Sequence, residues 1–263
     1  MDSTQLIGYG GGLIVGLVLG LIGGGGSILT VPLLVYFLGY NPIIATAYSL
    51  FVVGASSMVG TYQKYKKGLV DFKIGLAFSF PSFLAVYLSR RYLVPSIPDT
   101  LFSIGNYAIT KEMTIMIFFA VIMLLASFTM IRKSKEKAQI GNKQSYYKTF
   151  IQGIVIGSIT GFIGAGGGFL YVPALVLWAN IPMKKAVGTS LVIITINSLI
   201  GFLGDVQTLE IEWSFLLAFT FIAILGIILG VFLSKFISGE KLKKSFGFFT
   251  LIMAIYIIYK EVN

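Results

Sequence analysis

Two clusters of glycine are the residues of this sequence best suited to binding chemistry. Gly23 to Gly26 interrupt an apolar stretch at 5–39, and the run Gly164-Ala165-Gly166-Gly167-Gly168 interrupts another at 149–180. Glycine adopts backbone conformations closed to other residues and lets a ligand approach the peptide N–H groups closely. After each cluster a short helix is expected to begin, with free N–H groups and a positive dipole end at its start. Two such ends predict a site for a small anion.

The predicted backbone donors come from both clusters and the residue after the first one. They are Gly23, Gly24, Gly25, Gly26, Ser27, Gly164, Gly166, Gly167 and Gly168. No charged side chain is expected within the apolar stretches to take over this task, so the peptide groups would bind the anion themselves. The alternative is that each cluster is only a turn between two packed short helices.

Polar side chains downstream of the clusters are the candidates for selectivity. Ser49, Thr189, Ser190 and Asn197 fall within apolar stretches, where such groups normally face protein or water. They would supply directed hydrogen bonds to oxyanion oxygens. In the alternative, Ser49, Ser190 and Asn197 bond backbone carbonyls or bridge helices. Pro32 and Pro173 lack a backbone N–H and are expected to bend the second arm of each interrupted stretch.

Composition places these residues in a membrane. The chain has 263 residues, of which 56% are hydrophobic and 11% charged. A soluble domain carries roughly 25% charged residues, so a soluble enzyme is excluded. Cysteine and histidine are both absent, so neither a metal site nor a cofactor is expected. An embedded enzyme is not expected either, because no nucleophile–base pair is present.

Six apolar stretches are about as long as the ~20 residues that a membrane-spanning helix needs. They are 43–63, 72–92, 113–131, 186–204, 212–234 and 244–260. The two glycine-interrupted stretches differ, because their shorter arms cannot cross alone. Each is predicted to enter the membrane as a hairpin.

The basic residues orient these segments. Of 20 lysines and arginines, most fall into loops on one side when the loop containing Lys64, Lys66 and Lys67 is placed in the cytoplasm. Both termini then lie outside the cell membrane. The net charge of +10 is explained by topology and by contact with anionic lipid headgroups, so nucleic acid is not expected as a partner.

The two glycine clusters belong to an internal repeat. With an offset of 141 residues, 16 of 45 positions in 16–60 are identical to those in 157–201. Each copy holds one hairpin and three crossings, and an odd number of crossings inverts the second copy. The sequence thus predicts an all-α polytopic membrane protein with two inverted repeats, 1–131 and 149–263, joined by a cytoplasmic connector at 132–148. Inverted repeats with interrupted helices are typical of secondary transporters.

The repeated motif resembles that of a known family. The pattern Gly-x3-Gly-x2-Gly-x-Gly-Gly-x5-Pro occurs at 16–32 and again at 157–173. It is similar to the motif of the TauE/SafE family of sulfite exporter-like membrane permeases, and 186–191 resembles that family's second motif. In the first half, 45–50 departs from it by having Ala47 and Tyr48. The resemblance implies a secondary transporter of small anions such as sulfite, sulfoacetate or related sulfonates.

The prediction for function is therefore alternating-access transport of a small oxyanion at a site between the repeats. The alternative is a passive anion channel that uses the same glycine clusters as a filter. Glycines four residues apart, as at 8–20 and 153–161, are typical of close helix packing. Such faces would also permit a homodimer.

Overall fold

The chain folds into a helical bundle with one small β-hairpin. A computed structural model describes residues 3–262 apart from 105–106, 133–145, 165–166, 178 and 180. Most of the connector predicted at 132–148 lies outside the described residues. The helices are α1 (Ser3–Ile22), α2 (Gly25–Pro32), α3 (Pro42–Lys66), α4 (Phe72–Leu88), α5 (Val94–Ser96), α6 (Lys111–Ile131), α7 (Tyr146–Ile163), α8 (Gly168–Leu177), α9 (Met183–Asp205), α10 (Trp213–Leu233) and α11 (Gly239–Val262).

Three shorter helical segments extend these elements. A π-helical segment, Leu33–Phe37, continues α2, and a second one, Ser89–Leu93, joins α4 to α5. A 3₁₀ turn, Ser234–Phe236, follows α10. The strands β1 (Thr100–Ile104) and β2 (Tyr107–Thr110) form an antiparallel pair before α6. The sequence analysis predicted no strand there.

The predicted membrane spans are confirmed. Within the described residues, six helical segments are long and apolar enough to cross a membrane. They are Pro42–Lys66, Phe72–Ser96, Lys111–Ile131, Met183–Asp205, Trp213–Phe236 and Gly239–Val262. Large apolar side chains such as Phe80, Phe128 and Phe221 lie on the outer surface with more than half of their area exposed. The fold is that of an all-α multi-pass membrane protein.

Both glycine clusters break their helix, as predicted. At the first break, Gly23 has a φ of +77°, which favours glycine, and the chain reverses there. The second arm then runs back along α1, because Gly26 lies against Leu19 and Gly11 lies against Leu33. The first interrupted stretch is therefore a hairpin whose arms pack on each other.

The remaining helices pack as pairs that join the two halves. At the centre, α3 and α9 run antiparallel, with Gly60 against Leu191 and Gly201 against Leu50. Next to them, α1 packs along α10, α7 packs along α4, and α6 packs against α11. The spaced glycines make two of these contacts. In α1, Gly12, Gly16 and Gly20 touch the α10 backbone, and the spaced glycines of α7 touch α4.

Contacts between the halves come in equivalent sets, 141 residues apart. Gly16 touches Ala223, and its counterpart Gly157 touches Ser82, the counterpart of Ala223. This exchange is what a two-fold relation between the halves would produce, and α3 runs antiparallel to its counterpart α9. Opposite entry of the two halves into a membrane stays a prediction, as does the division at 1–131 and 149–263.

Candidate functional site

The tips of the two hairpins meet. A Cβ added at Gly24 would overlap the carbonyl group of Gly168, and one added at Gly168 would lie 2.5 Å from the Gly24 Cα. Any side chain would therefore separate them. Since Gly25 begins α2 and Gly168 begins α8, the N-termini of both short helices lie at this junction. The structure thus brings the two predicted clusters together, with Ser27 in the first turn of α2. Gly166 lies outside the described residues.

The first tip is held by a hydrogen bond from the other half. The Ser190 Oγ donates to the Gly23 carbonyl at 2.9 Å and also lies 2.9 Å from the Val187 carbonyl. Gly23 itself packs on Val187, and its N–H donates to the Leu19 carbonyl at 2.7 Å. Ser190 thus bonds backbone carbonyls, which was the alternative to a direct anion contact.

The second tip shares a positive φ at Gly164, the counterpart of Gly23, and has different side chains around it. Gly164 has a φ of +71°, and Gly167 one of +64°. Gly164 packs on Thr46, the counterpart of Val187, and on the Arg90 guanidinium. Ser49, the counterpart of Ser190, is fully buried, and its Oγ has no hydrogen-bond partner among the described residues. The hydroxyl that secures the first tip is therefore unused at the second.

A buried ion pair lies beside the second tip. Arg90 is 1% exposed, and its Nε donates to both carboxylate oxygens of Asp205 at 2.8 Å. Its Nη2 lies 2.6 Å from the Asp205 Oδ2 and donates to the Thr46 Oγ1 at 3.1 Å. The Nη1 has no hydrogen-bond partner in the described part of the chain, and a Cβ added at Gly164 would lie 2.5 Å from it.

The expectation of no charged side chain within the apolar stretches was wrong. The apolar run at 72–92 placed Arg90 at its outer end beside Arg91, and Asp205 followed the apolar run at 186–204. In the structure the helix continues past Arg90 to Ser96 through the π-helical segment, and α9 includes Asp205. Pairing across 115 residues then permits burial. The sequence did carry a signal. Arg90 and Asp205 have opposite charges, each lies at the end of an apolar run, and both ends are predicted on the same side of the membrane.

Asn197 connects three helices near the junction. Its Nδ2 donates to the Ser82 Oγ at 2.7 Å and to the Tyr171 hydroxyl at 2.6 Å, and these two oxygens lie 3.0 Å apart. The network joins α9, α4 and α8, and all three side chains are fully buried. Asn197 thus bridges helices, and its Oδ1 remains an acceptor without a partner among the described residues.

Thr189 and its counterpart Tyr48 accept equivalent hydrogen bonds from the backbone. The Thr189 Oγ1 accepts the backbone N–H of Asp71 at 2.9 Å, just before α4. At the equivalent place, the Tyr48 hydroxyl accepts the backbone N–H of Glu212 at 2.8 Å, just before α10. The departure from the family pattern at Tyr48 therefore preserves a hydroxyl with the same task.

The two prolines are followed by equivalent wide turns. After Pro32, the Leu38 N–H donates to the Leu33 carbonyl five residues back at 3.2 Å. After Pro173, the Ala179 N–H donates to the Ala174 carbonyl at 3.3 Å. Because proline has no N–H, each arm also loses the bond to the carbonyl four residues earlier. The predicted disruption of both second arms is consistent with these turns.

Charged groups at the opposite end of α3 complete the electrostatic picture. Lys64, the counterpart of Asp205, is buried, and its Nζ donates to the Ser234 Oγ at 2.6 Å. In the following loop, burial acts to raise the pKa of Asp71. The Ile74 N–H and the Lys185 ammonium, 3.2 Å away, outweigh that effect, so the pKa lies below its usual range.

Comparison with known proteins gives a consistent result along the whole chain. A family model described as Sulfite exporter TauE/SafE matches residues 9–257. A probable membrane transporter protein of Xylella fastidiosa (strain 9a5c) is 30% identical over 266 residues, which cover 98% of this chain and 97% of that protein. The probable membrane transporter protein YunE of Bacillus subtilis (strain 168) is 30% identical over 236 residues, covering 79% of this chain and 80% of that protein. No solved structure gives a significant match.

Proposed function

Because the chain belongs to the sulfite exporter TauE/SafE family of membrane transporters, we propose that it carries small oxyanions across the cell membrane by alternating access. The proposed substrates are sulfite, sulfoacetate or related sulfonates. The proposed site is the junction of the two hairpin tips, with both chain termini outside the cell. No cofactor is assigned to the process.

The observation that carries this proposal is the meeting of two helix N-termini at Gly24 and Gly168. Peptide N–H groups at a helix start bind anions because they are unpaired within the helix and sit at the positive end of its dipole. Irregular backbone at membrane depth is tolerated where it is buried in protein or lines a wet cavity. The two glycine-rich helix starts contact each other and are buried in protein. They would line a wet cavity when the halves separate.

The contacts between the halves favour a carrier over an open channel. At one end of α9, Arg90 of the first half pairs with Asp205 of the second. Near the other end, Lys64 of the first half bonds Ser234 of the second. The tips between them leave no space at Gly24. Anion passage therefore requires these contacts to break, and breaking them one end at a time is alternating access.

The test is flux of radiolabelled sulfite and sulfoacetate into proteoliposomes. Gly24→Ala would push the tips apart, whereas Gly10→Ala is a matched control, because nothing lies within 4 Å of a Cβ added at Gly10. We expect Gly10→Ala to transport like the wild type and Gly24→Ala to lose most flux while eluting as a folded protein. Normal flux in folded Gly24→Ala would remove the junction from the mechanism. Single-channel currents in the wild type would favour the channel instead.

A further inference from the structure

We propose that Arg90 is an anion-binding residue of this transporter, contacting the oxyanion through Nη1 at the second tip. Asp205 and Thr46 hold the rest of the guanidinium in place. The inference rests on the proposed function, because it names a charged group within the same transport site. It makes that site asymmetric, with one tip neutral and the other charged.

The hydrogen-bonding state of Arg90 is the first argument. An arginine offers five N–H donors in a fixed plane. Here the Nε and Nη2 face Asp205 and Thr46, while Nη1 has no hydrogen-bond partner in the described part of the chain. A buried donor without a partner is costly and calls for an explanation. A bound oxyanion at Nη1 supplies one.

The direction of Nη1 is the second argument. A Cβ added at Gly164 would lie 2.5 Å from Nη1, so this nitrogen rests on the backbone of the second tip. Ser49 lies one helical turn beyond Thr46 on the same face of α3, and its buried Oγ is also without a partner among the described residues. The Arg90 Nη1 thus lies on the second tip and the Ser49 Oγ one helical turn from Thr46, and neither has a hydrogen-bond partner in the described part of the chain.

Comparison of the two tips is the third argument. At the first tip, the position equivalent to Arg90 is Val231, and Ser190 is already bonded to Gly23. The first tip therefore has neither the cation nor the free hydroxyl at these positions. The side chains around the two tips thus differ in groups that can bind oxyanions. Ionisable residues within membrane segments mark substrate pathways by default.

A purely structural ion pair would give different mutant behaviour. Asp205 offsets the Arg90 charge, so it should weaken anion binding while it holds the guanidinium. Asp205→Asn keeps an oxygen that can accept from Nε and removes the negative charge. If Arg90 binds the anion, this variant should bind sulfite several-fold more tightly. A structural pair predicts only lower stability.

The experiment combines sulfite-dependent melting in detergent with the KM for sulfite uptake in proteoliposomes. Arg90→Met with Asp205→Leu removes the pair together, so neither charge is left buried alone. We expect this double variant to fold, to lose the sulfite-dependent shift, and to raise KM at least tenfold. Arg91→Gln, at the neighbouring partly exposed arginine, is the matched control and should behave like the wild type.

A second variant covers the case in which the double variant fails to fold. Arg90→Lys keeps the charge, but its single ammonium is committed to Asp205 and leaves no nitrogen at Gly164. We expect a KM about tenfold higher with kcat little changed. Wild-type KM in either folded variant would overturn the inference while leaving the proposed function intact. A wild type that neither binds nor transports sulfite or sulfoacetate would overturn the proposed function and, with it, this inference.

Discussion

Ser190 and Ser49 form a matched pair for testing the asymmetry of the two tips. They occupy equivalent positions, 141 residues apart, and both are fully buried. Ser190 donates to the Gly23 carbonyl at 2.9 Å, whereas the Ser49 Oγ has no partner among the residues that the structure describes. Replacing each with alanine removes the same atom from equivalent positions. The two variants should nevertheless differ, because Ser190 makes a hydrogen bond that Ser49 does not make to any described residue.

The expected magnitudes follow from this difference. Ser190→Ala leaves the Gly23 carbonyl without this donor, and an unsatisfied buried group costs about 1–3 kcal/mol. For a chain of this size, 1 kcal/mol corresponds to roughly 2–4 °C in Tm. We therefore expect Ser190→Ala to lower Tm by roughly 2–12 °C. Ser49→Ala removes a buried hydroxyl that has no partner among the described residues, and with it the cost of burying that group, so the free energy of unfolding should stay the same or rise.

Thermal unfolding of both purified variants in one detergent measures this directly. A transport assay on the same samples provides a second readout, in which Ser49→Ala should raise the KM for sulfite if its hydroxyl contacts the anion. Equal losses of Tm in the two variants would refute the reasoning. So would a wild-type Tm in Ser190→Ala.

Three further predictions concern packing, charge and topology. Gly16→Ala should destabilise the protein by about 1–3 kcal/mol or more, because its Cβ would overlap the Ala223 carbonyl, while Gly10→Ala should be neutral in the same thermal assay. The contacts that lower the pKa of Asp71 stabilise the fold above the carboxyl's unfolded pKa and are lost as pH falls through the lower folded value. Asp71→Asn should therefore melt below the wild type at pH 5–8, and the two should converge below about pH 4. The chain has no native cysteine, so Gln207→Cys and Lys241→Cys can be labelled selectively; an impermeant maleimide should reach the first from outside the cell and the second only after lysis.

Much of the fold was predictable because membrane helices are specified by local sequence. The six spans follow from apolar length, and the hairpin breaks follow from glycines that take a positive φ at Gly23, Gly164 and Gly167. The offset of 141 also predicts which residues are equivalent. These features depend on runs and repeats, which one sequence displays in full.

The charged part of the site was not predictable in the same way. Burial of Arg90 requires the π-helical segment at Ser89–Leu93 and a partner 115 residues away, and neither is visible in a hydropathy pattern. The role of Ser190 was open between ligand and backbone contacts, since a hydroxyl's partner depends on tertiary packing. Tyr48 shows the converse. It departs from the family motif, yet its hydroxyl accepts a backbone hydrogen bond equivalent to the one that Thr189 accepts.

The asymmetry of the duplicated site bears on the direction in which it opens. Two halves related by a two-fold axis would open equally at either end if their contacts were identical. Instead, the Arg90 end is closed by a buried ion pair with three short contacts, whereas the Lys64 end has a bond to a neutral hydroxyl and an Asp71–Lys185 pair that is partly exposed and therefore weaker. Charge-assisted bonds between two ions are the stronger kind. The Lys64 end should therefore open first, and an anion that enters there would meet the Arg90 Nη1, which has no partner among the described residues, before the ion pair behind it has to break.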